Sequence, residues 1–232
     1  MGLLTDDAHL RSLLSALPTT ITEPHWLGAP LARGGSGLRD AAVLMLFARG
    51  QKPRTLAGKR EVARLDDLGV GDVDVLILQR AATLRQHAGQ PAFPGGKKDP
   101  EDVSAVAAAL REAREEVGVE PGSVEVLTQI DPIAVPVSRH SVTPVVGVWT
   151  QPGPVRVVDT AESTRVYRVS VADLVAPANR GVFYPANRAY TSPVFDVGVL
   201  QVWGFTAGLL DFALTELGWA TEWDRTYMHI DV

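Results

Sequence analysis

Three glutamates within the segment 95–119 have the type and spacing to bind a cation. Glu112, Glu115 and Glu116 stand at positions i, i+3 and i+4 of a stretch with helical character. At about 100° per residue they share one arc of a helix, where like charges repel unless a cation lies among them. Carboxylate oxygens on a rigid scaffold suit Mg²⁺ or Mn²⁺. The alternative is a solvated face, on which Arg111 and Glu115 form an ordinary i, i+4 pair.

The residues around these glutamates favour the cation-binding interpretation. Residues 111–119 read Arg-Glu-Ala-Arg-Glu-Glu-Val-Gly-Val, and a Gly-Gly pair, Gly95 and Gly96, precedes them. This segment resembles the Nudix signature, whose second half is Arg-Glu-aliphatic-x-Glu-Glu-x-Gly-aliphatic. The signature also has a glutamate six positions after its second glycine, where this chain has Asp102, with Glu101 one place earlier. The sequence leaves open which of the two carboxylates takes that role.

The resemblance implies a role for each residue of this segment. It implies that Glu112, Glu115 and Glu116 bind one or more Mg²⁺ or Mn²⁺ ions, and that Arg111 holds a glutamate in place. One of these glutamates, or one from a later loop, would activate the attacking water. Glu162 is a candidate for the later residue, although a surface glutamate is the simpler interpretation. The implied reaction is in-line hydrolysis of a diphosphate, in which metal ions neutralise phosphate oxygens and activate water.

The segment before the signature narrows the substrate. It contains Arg80, then Leu-Arg-x-His-x-Gly-Gln over residues 84–90, then Phe-Pro-Gly-Gly over residues 93–96. These residues, and the Gly-Gly-x-x-Asp-x-x-Asp form of the box, resemble the coenzyme A diphosphatase (CoA pyrophosphatase) branch of the Nudix family. The substrate-binding residues that this resemblance implies are Arg80, Arg85, Gly89, Phe93, Gly95 and Gly96.

Each of these assignments has a structural alternative. Arginine offers phosphate a flat, permanently charged, bidentate donor, but Arg80 and Arg85 could each pair with a nearby aspartate instead. Gly89 and Gly96 could allow close approach of the backbone to phosphate or could serve turns. Phe93 could stack on a base, but a phenylalanine is more often part of the core.

The predicted function is therefore hydrolysis of the diphosphate of coenzyme A or its thioesters, which gives 3′,5′-ADP and 4′-phosphopantetheine species. The main alternative is ADP-ribose, NADH or another nucleoside diphosphate derivative, because the fold and the box do not decide the substrate. A non-catalytic nucleotide-binding module is a further alternative, and the complete glutamate set argues against it. The family resemblance also allows a homodimer.

Apolar patterns predict the elements that position these residues. In the helix 103–117, an apolar stripe that includes Ala109 and Val117 should pack on a sheet, and Gly118 should end the helix. A strand is predicted at each apolar run, and two further helices flank the strands, whereas 50–72 and 81–102 are predicted as loops. The strands are expected at 41–48, 73–78, 123–130, 142–149, 165–169, 181–184 and 193–200, and the helices near 5–17 and 202–217.

These elements indicate an α/β (α+β) fold, the Nudix α/β/α sandwich, with a mixed, curved sheet between helices. We expect a hydrolase domain at 39–217, with an N-terminal helix and loop at 1–38 packed on it and a C-terminal tail at 218–232. The mixture of strands and helices lacks the strict alternation of a parallel sheet, and this favours a mixed one.

Composition limits the partners of this 232-residue chain. Its net charge of −5 argues against a nucleic-acid or anionic-membrane surface and leaves a small molecule as the expected partner. The chain has no cysteine, which excludes disulfides and thiolate metal sites. No apolar run nears the roughly 20 residues of a membrane span. We expect a soluble, cytoplasmic protein.

Overall fold

A mixed sheet forms the centre of the structure, a computed structural model that describes residues 7–22, 26, 37–84, 87–135, 138–184 and 191–229. The helices are α1 (Asp7–Ser15), α2 (Leu56–Asp67), α3 (Ala105–Val117), α4 (Val171–Val175) and α5 (Gly204–Glu216). The strands of the main sheet are β1 (Arg39–Arg49), β2 (Val73–Arg80), β3 (Pro91–Ala92), β4 (Gly95–Lys97), β5 (Val124–Gln129), β6 (Ile133–Val135), β7 (His140–Trp149) and β8 (Ser163–Ser170). A smaller sheet contains β9 (Arg180–Phe183), β10 (Ser192–Asp196) and β11 (Gln201–Val202).

The topology of the main sheet opens a gap between β1 and β2. The strand order is β3-β2-β1-β7-β5, and β8 pairs with β2. Strand β1 is parallel to β7, whereas the other pairings are antiparallel. Strands β1 and β2 pair at Phe47–Arg49, and further along β1 pairs with β4 at Ala41–Val43. The short strands β3 and β4 thus lie in the gap, with β3 bonded to β2 and β4 to β1.

Strand β1 is buried on both faces because its apolar run is continuous. Met45 and Phe47 belong to a core cluster that includes α1, α5 and Trp219. Leu44 and Leu46 point the other way and belong to a second cluster, which includes the apolar stripe of α3. Helices therefore cover both faces of a mixed sheet, and the predicted fold class is confirmed.

Helix α3 has sequence signals at both ends. The Ser104 hydroxyl accepts a hydrogen bond from the Ala107 N–H at 3.1 Å and caps the helix. Gly118 adopts a left-handed conformation with φ of 73°, and its N–H contacts the Ala113 and Arg114 carbonyls. The predicted helix at 103–117 therefore begins at Ala105, because Ser104 is the cap, and it ends where predicted.

The prediction of an exposed loop at 50–72 is wrong, because α2 lies within it. Thr55 caps this helix by accepting a hydrogen bond from the Gly58 N–H, and Leu65 is fully buried. The anchor is Asp173, whose carboxylate accepts hydrogen bonds from the Arg54 N–H and from the Thr55 N–H and hydroxyl. A mostly polar helix that depends on a residue far along the chain leaves only a weak apolar pattern in its own segment.

Other predicted boundaries differ in smaller ways. The segment 81–102 contains the short strands β3 and β4, and the strand expected at 193–200 ends at Asp196 before β11 begins. The loop expected within residues 1–38 lies mostly outside the described residues, as do Thr5 and Asp6 at the start of the helix predicted near 5–17.

The flanking segments share the core of the central sheet. Leu10 and Leu14 of α1 and Trp219 of the tail are buried in the cluster that contains Phe47, and Trp219 packs edge-on against that ring. We retain, as a proposal, a domain at 39–217, with the N-terminal segment 1–38 packed on it and a C-terminal tail at 218–232. In the described part of the chain, no helix is long and apolar enough to cross a membrane.

We predict that Asp173→Ala destabilises the protein by about 2 to 4 kcal/mol, because it leaves the part-buried donors of residues 54 and 55 without their acceptor. Chemical denaturation of the variant measures this loss. Asp67→Ala, at an exposed position of α2, is the matched control and should change stability by less than about 0.5 kcal/mol. Equal stability of the two variants would show that Asp173 does not anchor α2.

Candidate active site

Two glutamates of α3 lie against strand β4. Glu116 is only 2% exposed, and its Oε2 atom accepts a hydrogen bond from the Gly95 N–H at 2.9 Å. Gly96 packs against Glu112 so closely that a Cβ at this position would lie 2.5 Å from the Glu112 Oε1 atom. A larger residue would displace that carboxylate. The Gly-Gly pair therefore allows α3 to place two carboxylates beside the gap between β1 and β2.

A third carboxylate comes from a segment distant in sequence. Carboxylate oxygens of Glu112, Glu116 and Glu162 all lie within 4.8 Å of one another. Glu162 directly precedes β8, and its carbonyl accepts a hydrogen bond from the Ala81 N–H at 2.8 Å, at the end of β2. Glu162 is exposed, so it closes the cluster on the solvent side.

Burial and mutual repulsion make this cluster hard to ionise. Burial raises the pKa of Glu116 to about 8, and the charges of Glu112 and Glu162 add to the rise, whereas the Gly95 N–H and Arg80 oppose it. Burial also raises the pKa of Glu112, against the effect of Arg111. The neighbouring cations therefore do not fully offset the carboxylates. Three clustered carboxylates whose charges are not fully offset are suitable ligands for a hard divalent metal ion.

Arg111 connects the cluster to the loop before α3. Its Nε and Nη2 atoms donate to the two Asp102 carboxylate oxygens at 3.2 and 3.0 Å, and Nη2 also donates to the Lys97 carbonyl at 3.0 Å. Its Nη1 atom lies 2.8 Å from a Glu115 oxygen and 3.1 Å from a Glu112 oxygen. One guanidinium thus holds β4, the loop and two glutamates of the helix in register.

The sequence left open whether Glu101 or Asp102 stands for the glutamate of the signature, and Asp102 is the one that contacts Arg111. It is buried, whereas Glu101 is exposed. The hydrogen bonds from Arg111 lower the pKa of Asp102, and the Asp99 N–H also donates to it. Asp102 is therefore the ionised partner that fixes Arg111.

The other residues that the sequence singled out lie in varied places. Glu115 has a half-exposed side chain on Arg111 and lies outside the group of three carboxylates. Arg80 ends β2, lowers the pKa of Glu116, and has a buried Nε atom without a hydrogen-bond partner among the described residues. Gly89 has φ of 69°, Phe93 is 2% exposed in the core, and Arg85 falls outside the described residues.

Glu162 is the site residue that the local pattern gave least reason to select. No motif surrounds it, and its role depends on the pairing of β2 with β8, which brings residue 163 opposite Arg80. Only the expectation of a glutamate in a later loop pointed to it.

Cavity size does not locate this site. A cavity of about 630 Å³ lies elsewhere, and its lining includes Phe212, Trp223 and Arg225 from α5 and the tail. None of the three clustered glutamates lines it.

Comparison with known proteins gives one family. The family model for the NUDIX domain matches residues 66–185. The uncharacterized Nudix hydrolase NudL of Escherichia coli K12 is 39% identical over 149 residues, which cover 62% of this chain and 75% of the relative. NudL of Shigella boydii serotype 18 is 38% identical over the same shares.

Solved structures with a similar arrangement are more distant. The Nudix hydrolase RenU of M. smegmatis is 24% identical, with a TM-score of 0.42, and the match covers 58% of this chain and 71% of that one. A MutT/nudix family protein of Enterococcus faecalis is 15% identical, with a TM-score of 0.45, over 80% of this chain and 63% of that one. The family model and the NudL relatives, not these structures, carry the assignment.

We predict that Asp102→Ala destabilises the protein by about 1 to 3 kcal/mol at pH 7, because Arg111 loses its ionised partner. The lowered pKa of Asp102 means that its contribution is present above about pH 4 and is lost as the pH falls through that lowered pKa. The stability gap between wild type and variant should therefore narrow in acid. Denaturation at pH 7 and pH 3 measures it, and Glu101→Ala is the control. A gap that is equal at both pH values would contradict this role for Asp102.

Proposed function

Because the chain belongs to the Nudix hydrolase family, we propose that it hydrolyses the diphosphate bond of coenzyme A or its thioesters, giving 3′,5′-ADP and a 4′-phosphopantetheine species. The observation that carries the chemistry is the convergence of Glu112, Glu116 and Glu162 beside the Gly-Gly strand. The choice of coenzyme A rests on the resemblance of residues 80–96 to the coenzyme A diphosphatase branch.

The carboxylates would hold the metal ions. Nudix hydrolases generally use divalent metal ions, and the oxygen donors here suit Mg²⁺ or Mn²⁺. Glu112, Glu116 and Glu162 supply three neighbouring donors, and we keep Glu115 as a further ligand, one that Arg111 would have to release. When bound, such an ion neutralises phosphate oxygens and lowers the pKa of the attacking water.

In the proposed reaction, the protein residues bind the substrate and accept the proton of the attacking water. Water attacks one phosphorus in line, the bond from this phosphorus to the bridging oxygen breaks, and the leaving phosphate departs as an anion. A carboxylate of the cluster accepts the proton of the water. Arg80, whose Nε atom has no hydrogen-bond partner among the described residues, would donate to a phosphate oxygen beside the cluster.

Two alternatives differ in what they require of this site. ADP-ribose or NADH would use the same carboxylates, so only the residues that contact the rest of the substrate distinguish them from coenzyme A. A non-catalytic binding module would retain nucleotide binding but would release no product when a divalent ion is added. The complete carboxylate set supports the enzyme.

We predict that coenzyme A yields 3′,5′-ADP faster than ADP-ribose or NADH is cleaved when all three are assayed with Mg²⁺ or Mn²⁺. Glu116→Gln and Glu162→Gln should each lower kcat by at least about a hundredfold, because each removes a donor from the cluster. Glu115→Gln measures the contribution of the proposed further ligand, and the exposed Glu101→Gln is the control.

The outcomes of this assay separate the alternatives. Faster cleavage of ADP-ribose or NADH would retain the family chemistry and contradict the coenzyme A assignment. Full activity of Glu162→Gln would remove Glu162 from the site. Absence of turnover on every substrate would favour the binding module.

We also predict that affinity for Mn²⁺ rises with pH up to about 8 and then levels off. The raised pKa of Glu116 means that below pH 8 the ion must displace a proton, which weakens apparent affinity by up to about tenfold per pH unit. Calorimetry between pH 6 and pH 9 measures this dependence. Glu116→Gln should bind Mn²⁺ more weakly and with a flatter profile, and an unchanged profile would show that Glu116 is not the titrating ligand.

A further inference from the structure

Three cationic or titratable side chains gather at one end of the sheet, outside the carboxylate cluster. Strand register places Arg39 beside His140 and Lys97 beside Ala41, which is two residues from Arg39 on β1. Residues at this spacing on neighbouring strands share a face. That face continues into Val43 and the cluster of Met45 and Phe47, so it lies opposite α3.

A surface cavity of about 320 Å³ opens at this end. Its lining residues are Arg39, Asp40, Lys97, Lys98, Asp99 and Pro100. The lining thus includes two acids, of which Asp99 lies 3.6 Å from Arg111. In the described ranges, neither Arg39 nor Lys97 has a carboxylate oxygen within 4.0 Å. Arg39 and Lys97 therefore line the cavity without an ion-pair partner in that part of the chain.

His140 lies opposite Arg39 in the strand register and is not itself among the residues that line the cavity. Its Nε2 atom is buried and has no hydrogen-bond partner among the described residues. Burial lowers the pKa of His140, and the charges of Arg39 and Lys97, with a smaller effect of His87, lower it further. An anion between these side chains would reverse that repulsion and give Nε2 a partner.

Strand β4 connects this group to the carboxylates. The Gly95 N–H donates a hydrogen bond to Glu116, and the Lys97 carbonyl accepts one from Arg111. The Lys97 side chain lines the cavity. The backbone of three consecutive residues thus separates the two sites.

We propose that Arg39, Lys97 and His140 form a subsite for a phosphomonoester of the substrate, separate from the diphosphate that is cleaved. The ligand class is a nucleotide whose ribose carries a second phosphate, as in coenzyme A. Guanidinium and ammonium groups beside an imidazole supply the donors that a dianionic phosphate requires. This subsite deepens the proposed function and rests on it for the position of the diphosphate.

Binding of nucleotide fragments tests the subsite without turnover. Calorimetry in EDTA compares 3′,5′-ADP with AMP, which lacks the second phosphate. Wild type should bind 3′,5′-ADP about tenfold more tightly, and Arg39→Ala with Lys97→Ala should remove most of this preference while leaving AMP binding unchanged. Both positions are exposed, so the double variant should fold, and its thermal melting checks this.

The matched control is the double variant Lys59→Ala with Arg60→Ala, which removes an equal charge from exposed positions of α2. This control should retain the preference for 3′,5′-ADP. Equal affinity of wild type for 3′,5′-ADP and AMP would overturn the subsite. An equal loss in the double control would also overturn it, because the preference would then come from overall charge.

Steady-state kinetics tests the subsite independently of which substrate the enzyme prefers. Coenzyme A is paired with dephospho-coenzyme A, and NADPH with NADH, so that each pair differs by one phosphomonoester. Arg39→Ala and Lys97→Ala should raise KM about tenfold for the phosphorylated member alone and leave kcat unchanged. If neither pair is cleaved, the proposed function fails, and the fragment binding still decides the subsite.

Discussion

The contacts of one guanidinium hold this site together. Arg111 uses its fixed fork of donors to join the carbonyl of β4, the carboxylate of Asp102 and two glutamates of α3. A lysine could not reach so many acceptors in one plane. Because α3 and β4 are locked in this way, the buried carboxylate of Glu116 stays beside the Gly95 N–H. A cation beside that carboxylate would favour its ionised form, which burial disfavours.

The sequence predicted best where structure depends on near neighbours. The limits of α3 follow from Ser104 and Gly118, and β1 follows from an unbroken apolar run. Helix α2 could not be predicted in this way, because its anchor, Asp173, lies more than a hundred residues along the chain. Its own residues are mostly polar and carry little of the pattern from which a buried face is inferred.

The residues of the candidate site likewise divide into those that local sequence predicts and those that depend on distant contacts. Glu112 and Glu116 were identified from spacing on one helix, and Asp102 and Glu101 could not be ranked until their burial was known. Glu162 joins the cluster only because β8 pairs with β2, a contact that no local pattern contains. The half-exposed position of Glu115 likewise depends on which carboxylates Arg111 reaches. Family membership fixes the chemistry more firmly than the substrate, because substrate groups contact residues outside the signature.

Glu162 is positioned through its backbone, and this has a consequence for sequence variation. Its carbonyl accepts a hydrogen bond from the Ala81 N–H, and β8 begins at the next residue. The sheet therefore fixes the position of the Glu162 side chain. The Asp159 carbonyl also accepts a hydrogen bond from the Glu162 N–H, and the Val158 N–H donates to the Glu116 carbonyl, whereas the earlier stretch 151–154 is largely exposed. Insertions, deletions and substitutions in 151–154 can therefore accumulate during divergence without moving the carboxylate, provided that the strand and these hydrogen bonds persist. Related chains can differ widely in this loop and still share the same reacting centre.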